Sequence, residues 1–482
     1  MQKEEALNKL FESWSWEKAD SITTLPASGS VREYYRLVGR NKSAVGVYNP
    51  DRRENIAFIN LTTHFQKKNL PVPQFYAEDL SNNIYLIKDL GDTTLYSIIT
   101  DHRSENGFSE ELKNIYLRII ETLPKFQISG GDGLDYKVCY PRSSFDRQSI
   151  MWDLNYFKYY FLKLAKIQFD EQTLEDDFNK FTSFLLQTDC GHFLYRDFQS
   201  RNIMILDDQL YFIDYQGGRR GALQYDIASL LFDAKADIPA NLRVEFLEYY
   251  INELKKYVSV NNKVFTKYFY GYAFVRMMQA MGAYGYRGFY EKKGHFLKSI
   301  PYALKNLKWI IDNSALPISI PTLMNVFEQL VTSKELQKFE EDRKSKDKLT
   351  VTINSFSYRK DIPIDTSGNG GGFVFDCRAL HNPGRYDEFK ELTGKDKKVI
   401  EFLNKEDDTK KFLENVFAIV DQSVEEYLKR GFLDLMISFG CTGGQHRSVY
   451  CAEGLAEHLR EKHSVNVIVR HWEILKGEGK GK

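Results

Sequence analysis

The chain has no excess of either charge sign. Its 66 basic and 66 acidic side chains cancel over 482 residues, so no global field draws it to nucleic acid. It has no uninterrupted apolar run near the roughly 18 residues of a membrane span. Its start, MQKEEALNKLFESW, lacks the apolar segment of a secretory leader and instead spaces Leu7, Leu10, Phe11 and Trp14 as an amphipathic helix. The five cysteines, 139, 190, 377, 441 and 451, form no C-x2-C pair, which argues for reduced thiols rather than a disulfide framework. No G-x4-G-K-[ST] loop and no internal repeat occur. These absences fit a cytoplasmic enzyme without a membrane partner. The 43% hydrophobic and 14% aromatic residues are ample for two or three cores.

What is present concentrates in FLYRDFQSRNIMILDDQLYFIDYQ, residues 193–216. Asp197 is followed by Asn202 and, after a short apolar run, by Asp214. Phosphoryl transfer from ATP needs a carboxylate to orient the attacking hydroxyl and take its proton, and oxygen ligands for Mg²⁺. Asp197 suits the first task, Asn202 and Asp214 the second. Residues 203–205 and 210–213 read as two strands joined by the turn Asp207-Asp208, which would bring Asn202 and Asp214 together.

This stretch resembles the aminoglycoside phosphotransferase/choline kinase family. It is most similar to the branch of bacterial kinases that phosphorylate N-acetylmuramate and N-acetylglucosamine at the anomeric hydroxyl. That branch carries H-R-D-x-H-S-R-N and then D-F-Q; here stand Tyr195-Arg196-Asp197-Phe198-Gln199-Ser200-Arg201-Asn202 and Asp214-Tyr215-Gln216. The departures are Tyr195 and Gln199, each in place of a histidine. The resemblance implies ATP and Mg²⁺ as cofactors, a sugar or amino sugar as acceptor, and a bracing role for Asp226. It also implies that the small-residue turn at Ser28, Gly29 and Ser30 lies over the phosphates and that Ile87, Lys88 and Asp89 meet adenine. The strand Ala44–Tyr48 carries no phosphate-binding lysine, and Lys42 lies just before it. Arg276 and Gln279, one helical turn apart among Tyr and Met, are the candidate acceptor contacts, with a core helix as the alternative. Residues 145–166, 242–257 and 264–312 read as helical.

Residues 331–349 are charged and poor in large apolar side chains, which reads as a linker between domains at 1–330 and 350–482. In the second domain, strands are expected at 350–357, 372–377, 433–439 and 465–471, and helices at 396–404, 409–429 and 446–463. The fold class is then an α+β bilobal protein-kinase-like domain followed by a smaller α/β domain. The glycine-rich turn Gly440-Cys441-Thr442-Gly443-Gly444-Gln445-His446-Arg447-Ser448 leads from strand to helix, a natural anion site.

Two readings of that turn compete. Cys441-x5-Arg447-Ser448 matches cysteine-dependent phosphatases, which also need a general acid; Asp376 and Asp387 fall in segments that match the other reading, so neither argues for hydrolysis. A wider set resembles the C-terminal domain of RapZ, an RNase adapter. That set comprises Ser355–Arg359, Phe375–Arg378, Asn382-Pro383, Leu392–Gly394, 440–448 and Arg470-His471. The resemblance implies a glucosamine-6-phosphate site, here Arg359, Arg378, Thr442, Gly443, Gly444, Gln445, His446, Arg447 and Ser448, and an ability to bind RNA. The family's basic residue after S-F-x-F is Arg359, and Gly384 stands where a histidine often follows Asn-Pro, with His381 nearby. The combined reading is an Mg-ATP sugar kinase with a phosphosugar or nucleotide sensor. The alternatives are a regulatory RNA- or protein-binding adapter with a weak kinase domain and a bifunctional kinase–phosphatase.

Overall fold

A computed structural model describes residues 2–26, 31–103, 108–339, 348–365, 372–430 and 432–474. Ser28, Gly29 and Ser30 lie outside the described residues, as do 340–347 of the expected linker. The chain divides into two compact units, 1–283 with 301–333 and 284–300 with 334–482.

The first unit begins with the helix Gln2–Ser15, whose Leu7 and Phe11 are fully buried. They pack with Tyr35, Leu37, Ala44, Ile84 and Leu86 against an antiparallel five-stranded sheet. Its strands are β1 (Ser21–Thr24), β2 (Glu33–Val38), β3 (Ser43–Tyr48), β4 (Phe75–Asp79) and β5 (Ile84–Ile87), in the order β1-β2-β3-β5-β4. Between β3 and β4 runs the helix Arg52–Lys67. Asp51 caps it by accepting the Arg53 and Glu54 amides, which sets Glu54 in the first turn.

The rest of this unit is largely helical, with two small hairpin-like pairs. β6 (His192–Leu194) pairs antiparallel with β9 (Arg219–Gly221), and β7 (Ile203–Leu206) with β8 (Gln209–Phe212). The β7–β8 turn is Asp207-Asp208, both left-handed at φ 51° and 58°, the geometry that matches strand twist in a two-residue hairpin. This is the bilobal α+β arrangement expected of a kinase-like domain: a sheet lobe with two helices, then a helical lobe with the catalytic loop on short strands.

Two long helical expectations are interrupted. The segment 145–166 is the helix Arg147–Phe157 followed by a π turn, Lys158–Leu162. The segment 264–312 is the helix Asn262–Tyr284, a π turn Gly285–Tyr290, a 3-10 turn Gly294–Ser299 and the helix Ile300–Asn313. Gly288 sits so close to Leu297 that a Cβ would lie 2.2 Å from Leu297 Cδ2, so the chain folds back there instead of continuing. Apolar periodicity does not register such a close approach.

The second unit has a fully parallel sheet of β10 (Thr350–Ser357), β11 (Gly372–Asp376), β12 (Asp434–Cys441) and β13 (Asn466–His471), in the order β11-β12-β10-β13. The helices Lys397–Asn404, Asp407–Lys429 and Arg447–Lys462 accompany it. Val416, Val420 and Val424 of one helix and Leu455, Ala456 and Leu459 of another close a core over Val351, Ile353, Ile437 and Phe439. β10 and β12 are neighbours whose onward connections lead to opposite sheet edges, the arrangement in which parallel sheets open a crevice at their carboxyl ends. Among the described residues of both units, no helix is long and apolar enough to cross a membrane.

Candidate functional site

The catalytic-loop segment leaves β6 at Leu194 and is held by a buried carboxylate. Asp226 accepts the amides of Tyr195 at 2.9 Å and Arg196 at 3.0 Å and the Gln127 amide nitrogen at 3.0 Å. Burial pushes its pKa up to about 6, against these three stabilising donors. Arg196 adopts φ 85° and clamps Asp153 through two bonds of 2.7 Å, with a third of 2.7 Å to the Tyr225 hydroxyl. Tyr195, in the place of the usual histidine, is fully buried and donates to the Ile213 carbonyl at 2.8 Å. The turn that presents Asp197 is therefore anchored on both sides.

The hairpin brings the other two residues to it. The Ile213 amide donates to Asn202 O at 3.0 Å. Asn202 Nδ2 donates to the Asp197 carbonyl at 2.8 Å and to Asp214 Oδ2 at 3.2 Å, and among the described residues the Asn202 amide oxygen accepts no hydrogen bond. Burial and the Asp197 carboxylate push the Asp214 carboxyl up, while Arg32 and Gln216 oppose that shift. One carboxylate and one amide oxygen fit Mg²⁺, which keeps waters and takes phosphate oxygens rather than an all-protein cage. Among the described residues no cluster of three or more His, Cys, Asp or Glu is placed to hold a metal alone.

Of Arg32 and Arg36, the two arginines that the sequence offers as charge in place of a strand lysine, it is Arg32 that faces this pair. Arg32, just before β2 and 8% exposed, reaches Asp214 Oδ1 at 3.1 Å and pairs with Glu54. β3 has no lysine to do this, and Lys42 instead rests over the Trp14 ring. Arg36 binds Asp89 at 2.7 Å and Asp92 at 2.9 Å. Lys88 donates to the Tyr211 hydroxyl at 2.9 Å, and Ile87 ends β5 between β3 and β4. Arg276 is buried and spent on protein: Nε donates to Ser229 at 2.8 Å, one terminal nitrogen to Gln279 and the other to Gln199 at 3.2 Å. That second nitrogen also lies 4.0 Å from Asp197 Oδ1. Arg276 and Gln279 thus pack against the catalytic loop as a pair.

In the second unit, the chain turns at the end of β12 and enters the helix Arg447–Lys462. Gly444 adopts φ 72°, and a Cβ there would lie 2.4 Å from Glu473 Cγ and 3.0 Å from the Ser357 amide. Ser357 Oγ donates to the Thr442 carbonyl at 2.7 Å, tying the ends of β10 and β12. Cys441 Sγ accepts the Gly444 amide at 3.2 Å and lies 3.2 Å from Ser448 Oγ. His446 Nε2 donates to the Phe389 carbonyl at 2.8 Å, so that nitrogen carries the proton. Gly384 lies beside the other face of this ring, its Cβ position 3.4 Å from Nδ1. His381 does not take that place; it contacts Glu406 at 3.1 Å and the Tyr386 hydroxyl at 3.2 Å.

Two of the three arginines expected at this site are engaged elsewhere. Arg447 is 4% exposed and donates at 2.9 Å to the carbonyls of both Arg378 and Leu380. Arg378 pairs with Asp376 at 2.7 Å and stacks 4.1 Å over the Tyr358 ring. The Arg359 amide donates to Ser357 Oγ at 3.2 Å, while its side chain is exposed, as are Gly443 and Gln445. The exposed residues of the turn are thus Gly443 and Gln445, with Thr442 half-buried beside them.

Comparison with known proteins finds a family match within each unit. The model of the phosphotransferase enzyme family matches residues 21–258, and that of the RapZ C-terminal domain matches residues 349–475. A nucleotide-binding protein of Nitrosomonas europaea is 39% identical over 136 residues, covering 28% of this chain and 45% of that protein. The chain spans less than half the length of the curated relatives it matches. Among solved structures, a gentamicin complex of APH(2")-IIa aligns with a TM-score of 0.45 at 15% identity over 63% of this chain and 95% of that one. Choline kinase of Cryptosporidium parvum aligns with a TM-score of 0.43 at 11% identity, over 64% and 93%. The chain thus joins a segment that matches the phosphotransferase enzyme family, residues 21–258, to one that matches the RapZ C-terminal domain, residues 349–475.

Proposed function

We propose that the first unit is a sugar kinase that moves the γ-phosphoryl group of Mg-ATP to a hydroxyl of an amino sugar or related sugar. The observation that carries this reading is the convergence of Asp197, Asn202 and Asp214, joined by the Asn202 amide at 2.8 and 3.2 Å. Asp197 accepts the proton of the acceptor hydroxyl as its oxygen attacks phosphorus. Asp214 and the Asn202 amide oxygen would hold Mg²⁺. When bound, the ion neutralises phosphate charge and orients the leaving group. Arg32, held by Glu54, supplies the positive charge that a β3 lysine otherwise brings to the phosphates. Asp226, Arg196 and Asp153 keep the loop in one geometry. The cytoplasm, with its ATP, is the compartment this chemistry requires.

For the second unit we read a phosphosugar or nucleotide sensor rather than a phosphatase. Cys441 is 3% exposed, and Arg447 is turned to backbone carbonyls instead of the turn, which favours binding over phosphoryl attack. The name of the Nitrosomonas relative supports a nucleotide as one ligand to test. The test of the whole reading is a panel of sugars and amino sugars with Mg-ATP, measuring ADP and locating the new phosphate. It is run beside calorimetry with glucosamine-6-phosphate and a gel shift with RNA. ADP formation that depends on a sugar supports the kinase. RNA binding without sugar-dependent ADP moves the assignment to the adapter.

A further inference from the structure

Arg219 is the buried charge that the proposed chemistry leaves unused. It opens β9, opposite Leu194 of β6, one residue pair from the start of the catalytic loop. The residue is 6% exposed, more deeply buried than most arginines in folded proteins. Its Nε donates to the Gly217 carbonyl at 2.9 Å. Among the described residues, its two terminal nitrogens have no hydrogen-bond acceptor and no carboxylate at ion-pair distance.

The nearby carboxylates are already engaged. Asp153 is held bidentately by Arg196 at 2.7 Å, and Asp197 is approached by Arg276 at 4.0 Å. Burial, and then the neighbouring Arg196 charge, push the Arg219 pKa down to about 10. A buried guanidinium ordinarily has a partner, because taking a charge out of water without one is unfavourable. The position also matters. Gly217, which accepts the Nε bond, has its Cβ direction 3.8 Å from Asp197 Oδ2 and 3.7 Å from Arg196 Cγ. The segment Gly217–Arg219 therefore borders the carboxylate that faces the acceptor, on the Arg196 side and not through the Asn202–Asp214 pair.

We propose that Arg219 is an acceptor-specificity residue and that the acceptor carries an anionic group, a carboxylate or a phosphate, which its planar fork binds beside Asp197. This rests on the kinase reading of the first unit and narrows it from sugars in general to acidic sugars. The fork offers two parallel N–H donors, the arrangement that suits a two-oxygen anion. With such a group docked, the substrate hydroxyl is placed at Asp197 by a contact remote from the reacting atoms, as orientation-based catalysis requires.

The test uses the full chain and matched probes: glucose against glucuronate, N-acetylglucosamine against N-acetylmuramate, and glucose against glucose 6-phosphate. Binding is read by calorimetry and turnover as ADP. The expected result is that the acidic member binds at least about 10-fold more tightly, the range of a charged hydrogen bond. The first two pairs report a carboxylate and the third a phosphate, so the preferred arm names the source. Arg219→Met should erase that preference, expressed chiefly in KM, and Arg219→Lys should retain part of it. Arg219→Met should also raise the melting temperature without ligand, since it removes an unpartnered buried charge; a merely structural arginine would lower it. Equal binding of acidic and neutral members, or a preference that survives in Arg219→Met, overturns the inference. Arg219-dependent binding without ADP formation upholds it and defeats the kinase reading. Turnover of neutral sugars alone, indifferent to Arg219, does the reverse.

Discussion

The two units solve anion handling in opposite ways. In the first, side chains carry the charge: Asp197, Asp214, Arg32, Arg276 and Arg219 crowd one region, and the Asp197 carboxylate raises the demand of Asp214 for a cation. In the second, the charged side chains of the turn are consumed by protein. Arg447 holds two carbonyls, Arg378 holds Asp376, and the residues left exposed are uncharged, Gly443 and Gln445. A site built from side-chain charge fits a reaction in which charge moves. One built from main-chain donors, with its helix behind it, fits reversible capture of an anion.

Several variants break or sharpen this contrast. The largest effect is expected for Asp197→Asn, which should lower kcat by about 10²–10⁴-fold while Mg-ATP still binds. Single-turnover kinetics with calorimetry checks both parts. Next, Asp214→Ala should weaken Mg-ATP binding more than Asn202→Ala, because a carboxylate brings a full charge to Mg²⁺ and an amide only a dipole. Unchanged affinity in the Asp214 variant would mark a unit that binds nucleotide without metal. Arg32→Ala should raise the Kd for Mg-ATP by about 10-fold, the worth of a charged hydrogen bond.

In the second unit, Arg447→Ala should lower stability by about 1–3 kcal/mol, since the Arg378 and Leu380 carbonyls lose their donor, and should weaken glucosamine-6-phosphate binding through the displaced turn. Cys441→Ser should change that binding little. Cysteine-dependent phosphate release would contradict the contrast outright. The smallest effect concerns pH. Asp421 joins two helices of this unit. Burial raises its pKa, but bonds from Lys462, His463 and His458 outweigh burial and hold the carboxyl below its usual range. A depressed carboxyl pKa contributes stability above the unfolded value, lost as pH falls through the folded one. Chemical denaturation from neutral to acidic pH should therefore show a loss that Asp421→Asn lacks.

The catalytic region was legible where its logic is local. Asp207-Asp208 read as a two-residue turn, and the turn closes β7 on β8, which sets Asn202 against Asp214. In the second unit β12 read from the apolar run Leu433–Phe439 ending in a glycine-rich turn; it runs two residues past the expected end because Cys441 still pairs with Ser357. What stayed hidden depends on distance along the chain. Arg32 meets Glu54 and Asp214 only once the sheet has folded, and no spacing rule links residues 182 apart. The one available signal was the missing lysine of β3 beside two arginines of equal strand parity, Arg32 and Arg36. Arg219 gave no signal, since a Gly-Gly-Arg-Arg stretch reads as a solvated turn until its burial is seen.

The central claim is that Asp197, Asn202 and Asp214 form a phosphoryl-transfer site acting on a sugar hydroxyl. The most direct measurement is sugar-dependent ADP formation by the full chain with Mg-ATP, wild type beside Asp197→Asn, with the phosphorylated position located by NMR. The account predicts one or more sugars that stimulate ADP release in the wild type, with loss of about 10²-fold or more in the variant. Sugar-stimulated turnover that persists undiminished in Asp197→Asn, or no stimulation by any sugar in the panel, would contradict it.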